Sequence, residues 1–87
     1  MARIVVLMGG PSAEHDISLK SGQSVAAALT RRGWSVQEVV IARALTVPDA
    51  TDFTAATLRR GHPDAVFVAL HGPFGEDGTI QQLCEAL

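Results

Sequence analysis

The chain has 87 residues, 47% of them hydrophobic and 18% charged, with a formal net charge of −2. That length holds one domain, the apolar share excludes a charge-rich disordered segment, and the charge balance gives no drive toward nucleic acid or an acidic membrane surface. The single cysteine, Cys84, has no partner for an internal disulfide, so the domain must rely on its core, which points to the reducing cytoplasm.

The first apolar run, Ile4-Val5-Val6-Leu7-Met8, follows Arg3 and stops at Gly9-Gly10. It is too short for a secretory h-region of about 7 to 15 residues or a membrane span of about 20. Its β-branched density predicts a buried parallel strand over residues 3–8. A helix is predicted over 17–32, with Ile17, Ser21, Ser24, Val25, Ala28 and Leu29 along its inner side, Asp16 as a cap and Gly33 as its stop. A start one turn earlier, near Ser12, stays open. Residues 34–41 read as an outer strand, because Glu38 interrupts the run of Val36, Val39, Val40 and Ile41.

After a loop over 42–48, a helix is expected at 50–60, with Phe53, Ala56 and Leu58 as its apolar positions. Gly61-His62-Pro63-Asp64 breaks it, and the apolar run at 65–70 predicts a third strand. Residues 71–78, with three glycines, form a loop, and Asp77 can cap a last helix at 78–87 carrying Ile80, Leu83, Cys84 and Leu87 on one face. Strands alternating with helices predict an α/β, Rossmann-like, three-layer domain with a parallel sheet in the order 2-1-3. The loops at 9–16 and 71–78 then meet at the C-terminal edge of the sheet, where open α/β sheets bind ligands. The last helix has no stop signal and the third strand has an open edge, so residues 1–87 are expected to be the N-terminal part of a longer protein.

Gly9-Gly10-Pro11-Ser12-Ala13-Glu14 matches neither the dinucleotide nor the P-loop fingerprint. Its backbone N–H groups either present donors to an anion or carbonyl or belong to a plain strand-to-helix turn. Glu14 and Asp16 complement a helix dipole, yet Glu14 at the mouth of the sheet also suits the grip of an ammonium group. His71 stands at the tip of a central strand, and Glu76 and Asp77 lie within reach of its ring if the loop folds back. The alternatives are a solvated Glu76 and a capping Asp77. His15 and His62 are expected to be exposed, Cys84 to face the core, and the histidines are too scattered for a metal site.

Two segments carry a family resemblance. They are Val6-Leu7-Met8-Gly9-Gly10-Pro11-Ser12-Ala13-Glu14-His15-Asp16-Ile17-Ser18-Leu19-Lys20-Ser21-Gly22 and Val66-Phe67-Val68-Ala69-Leu70-His71-Gly72-Pro73-Phe74-Gly75-Glu76-Asp77-Gly78-Thr79-Ile80-Gln81. Together they resemble the D-alanine–D-alanine ligases. The resemblance implies a pre-ATP-grasp domain of a cytoplasmic enzyme, homodimeric at full length, that joins two D-alanines for peptidoglycan synthesis. ATP and Mg²⁺ (or Mn²⁺) are implied for that enzyme, which works through an acyl phosphate attacked by the second amino group. Glu14 would hold the ammonium of the first D-alanine, with Ser18 near by as a further catalytic residue and His71, Gly72 and Glu76 lining the same pocket. Only one lysine, Lys20, is present, so ATP and metal ligands are expected in ATP-grasp domains outside these residues, and the segment alone is expected to be inactive. Residues 34–64 match nothing specific, and Gln82 stands where the family more often has a small residue. A ligase with another acceptor and a non-catalytic binding module remain as alternatives. A dinucleotide domain lacks its ribose-binding acid near Gly33-Trp34-Ser35.

Overall fold

The structure, a computed structural model, describes residues 3–11 and 13–70. The order is β1 (Arg3–Gly9), α1 (His15–Arg31), β2 (Ser35–Ile41), α2 (Val47–Gly61) and β3 (Ala65–Val68). The strands form one parallel sheet in the order β2-β1-β3, as the alternation of strands and helices predicts. β1 is central, with Leu7 opposite Val39 on one side and Val68 on the other.

The continuous apolar run of β1 is explained by cover on both faces. Val5 and Leu7 point toward α2, into a cluster with Val39, Ile41, Ala50, Leu58 and Leu70. Val6 and Met8 point toward α1, against Ala26, Leu19, Val25 and Leu29. β2 is an edge strand among the described residues, and Val40 is 50% exposed there beside the exposed Glu38. The three layers are therefore α1, sheet and α2.

α1 starts two residues before the predicted boundary, with Glu14 at the cap position and Asp16 inside the first turn rather than capping it. Its inner face is also rotated from the predicted one. Ser18, Gly22 and Ala26 are the buried residues, whereas Ile17 is 58% exposed and Ser24 is exposed. The small residues win because the helix lies very close to β1: a Cβ on Gly22 would stand 2.6 Å from Met8 Cβ. At the other end Gly33 (φ +90°) closes the helix, its N–H donating to Thr30 O while Trp34 N–H donates to Leu29 O, the double bond pattern of a Schellman stop.

α2 begins at Val47, three residues before the predicted start. Thr46, in extended conformation, accepts a hydrogen bond from Asp49 N–H through its hydroxyl, and a proline in the first turn costs no intrahelical bond. Ala50, Thr54, Ala55 and Leu58 face inward, and Phe53 and Ala56, expected there, are exposed. The helix ends at His62 in the left-handed region (φ 44°). β1 runs one residue past its predicted end, to Gly9, and β2 starts one residue later than expected, after Trp34. β3 stops at Val68 instead of residue 70, because the next bond of its ladder with β1 is diverted to a side chain of α1. The helix expected at 78–87 lies outside the described residues.

Candidate functional site

The C-terminal edge of the sheet is built around the turn after β1. Gly9 and Gly10 both have positive φ (+90° and +91°), a conformation that favours glycine. At Gly9 space adds a second constraint, since a Cβ would stand 2.6 Å from Ile41 O and 2.9 Å from His15 Cε1. The turn thus passes tightly between β2 and the first residue of α1.

Both glycine N–H groups and the Gly10 carbonyl of that turn have partners. Gly10 N–H donates to Ile41 O (2.8 Å), and Gly9 N–H donates to Ser18 Oγ (2.8 Å). Gly10 O lies 2.9 Å from His15 Nδ1, which serves as donor in the tautomer protonated there. His15 is therefore half-buried rather than exposed: its ring packs on the bare face of Gly9, room that no side chain larger than hydrogen would leave. His62 is exposed, as expected.

These partnerships bear on the two readings of the glycine turn at Gly9 and Gly10. The N–H groups of Gly9 and Gly10 are committed inside the protein, so they form no cradle for a phosphate. No group of three or more His, Cys, Asp or Glu among the described residues is placed to hold a metal ion. Gly9 and Gly10 therefore offer no N–H donor to the phosphates of ATP.

Glu14 is exposed at the N-cap of α1, and its carbonyl accepts a hydrogen bond from Ser18 N–H (2.9 Å). Ser18 is fully buried, and its hydroxyl, besides accepting from Gly9 N–H, donates to Ala69 O (2.6 Å). The described structure thus brings Glu14, the Gly9-Gly10 turn and the end of the β3 segment to one edge. His71, Gly72 and Glu76 lie outside the described residues. The participation of His15 and the double bonding of Ser18 escaped the sequence reading. Only the serine one turn after Glu14 hinted at the second. A separate recess of about 490 Å³, lined by residues that include Leu58, His62, Asp64 and Val66, lies at the opposite edge, around the start of β3.

The family described as D-ala D-ala ligase N-terminus matches residues 3–55, which include β1, the glycine turn, Glu14 and all of α1. The chain belongs to this family. Proteins named D-alanine–D-alanine ligase are similar over nearly its whole length. The one from Desulforudis audaxviator is 46% identical over 98% of this chain and 25% of its own length. That from Aquifex aeolicus is 47% identical over 98% and 26%, and that from Acidiphilium cryptum is 51% identical over 93% and 25%. The crystal structure of the Bacillus anthracis D-alanine–D-alanine ligase complexed with ATP has a TM-score of 0.72 at 29% identity, covering 99% of this chain and 26% of that one. The chain thus spans about a quarter of the length of its family relatives. Among the described residues no helix is long and apolar enough to cross a membrane.

Proposed function

We propose that this chain forms the substrate-gripping N-terminal region of an ATP-dependent D-alanine–D-alanine ligase that makes the dipeptide for peptidoglycan. The observation that carries the reading is Glu14: an exposed carboxylate on the first turn of α1, at the C-terminal edge of the central strand, in a chain of this family. A carboxylate in that place suits the ammonium of the first D-alanine, to which it offers oxygen acceptors. His71, Gly72 and Glu76, which follow β3 in the sequence, are the further residues proposed to bind that substrate. ATP is the second kind of substrate, and its ligands, with those of Mg²⁺, belong to the part of the enzyme beyond this quarter. A cytoplasmic location and a homodimeric full-length enzyme accompany the reading.

The grip on the amino group binds the D-alanine and also orients its carboxylate for activation, so part of the contribution is present in the ground state and part is realised only in the transition state. Replacing Glu14 by glutamine keeps the shape and removes the charge. In the full-length ligase, Glu14→Gln is expected to raise the KM for the first D-alanine by about tenfold or more and to lower kcat, the cost of losing a charge-assisted hydrogen bond. Initial-rate kinetics over D-alanine concentration measure this, and unchanged constants would overturn the assignment.

A further inference from the structure

In the parallel ladder between β1 and β3, Leu7 lies opposite Val68, and Ala69 N–H donates to Leu7 O at 2.9 Å. By the alternation of such a ladder, the next bond runs from Gly9 N–H to Ala69 O. The hydroxyl of Ser18 occupies that place. Gly9 N–H donates to Ser18 Oγ at 2.8 Å, and Ser18 Oγ–H donates onward to Ala69 O at 2.6 Å. One rung of the sheet has been opened and a side chain from α1 inserted into it.

We infer that Ser18 is the positioning residue of the substrate site: its hydroxyl wedges the C-terminal ends of β1 and β3 apart and thereby sets the separation between Glu14 and Ala69 at the end of the β3 segment. A hydroxyl is suited to this, because it both accepts and donates in one atom and leaves neither backbone group unpaired. The residue is fully buried, so it reaches substrate only through what it holds. What it holds are Glu14 and the end of the β3 segment. Its own N–H is bonded to the carbonyl of Glu14, and its hydroxyl to the carbonyl of Ala69. Alanine at this position leaves Gly9 N–H and Ala69 O either unpaired or drawn together into the missing rung. Both outcomes shift Ala69 relative to Glu14.

The inference rests on reading this edge as the first D-alanine site, and the test separates the two. In the full-length ligase, Ser18→Ala, Glu14→Gln and the double variant are compared by KM for the first D-alanine, KM for ATP and thermal midpoint, at a temperature where all are folded. The expected result is a KM for the first D-alanine raised about tenfold in Ser18→Ala with the KM for ATP within about twofold, and less than additive effects in the double variant. If Ser18→Ala does not fold, Ser18→Cys, of similar shape with a weaker donor, carries the same test. A lowered thermal midpoint with the KM for the first D-alanine unchanged would overturn the positioning role and leave a purely structural serine. Failure of Glu14→Gln to alter that KM would instead overturn the parent reading.

Discussion

Two glycines of this chain show how one residue type answers two different demands. Gly33 holds φ +90° with nothing within 4 Å of a would-be Cβ, so its demand is conformational. Gly22 lies in an ordinary helix, and its demand is space: a Cβ would stand 2.6 Å from Met8 Cβ and 2.9 Å from Met8 Cε. The methyl end of Met8 can swing away, but its Cβ is tied to the central strand. Gly22→Ala is therefore expected to push α1 off the sheet and to destabilise the full-length protein by about 1 to 3 kcal/mol despite the better helix propensity of alanine. Thermal or denaturant unfolding measures it, and a stabilised variant would contradict the close approach. By contrast, the ion pair of Arg43 with Asp16 at 3.4 Å is largely exposed and contributes little.

At the scale of elements, the ends of the helices carry much of the specification. Thr46 caps α2 through its hydroxyl, and the bond to Asp49 N–H is long and exposed at 3.2 Å. Thr46→Ala should cost about 1 kcal/mol, seen as a small drop in thermal midpoint with the kinetic constants intact. A loss several times larger would mean that Thr46 has a second role. These ends also show what a sequence can and cannot disclose. β1 was readable because a strand covered on both faces must be apolar at every position, and the three strands and first two helices follow in the predicted order. The inner face of α1 was not readable from hydrophobicity, since close packing selects Ser18, Gly22 and Ala26 and leaves Ile17 outside. The early end of β3 was not readable either, because it depends on a bond between residues 51 positions apart. Glu14 and Ser18 stood in a recognisable motif, but only the fold separates an exposed carboxylate from a buried hydroxyl that holds two strands.

For the molecule as a whole, the described C-terminal edge of the sheet carries Glu14, and its Gly9-Gly10 pair forms no phosphate cradle. The turn after β1 spends the N–H groups of Gly9 and Gly10 on Ser18 and Ile41, so in the proposed ligase the charge of phosphoryl transfer is met by other residues. In the proposed function, what this chain contributes is recognition of the amino group of the first D-alanine. The most direct measurement compares D-alanine with D-lactate, which replaces the ammonium by a hydroxyl, as competitors for the first site of the full-length ligase and of its Glu14→Gln variant. The wild-type enzyme should favour D-alanine by about tenfold to a hundredfold, as expected for a charge-assisted contact, and the variant should lose most of that preference. An undiminished preference in Glu14→Gln would contradict the claim that this carboxylate holds the ammonium.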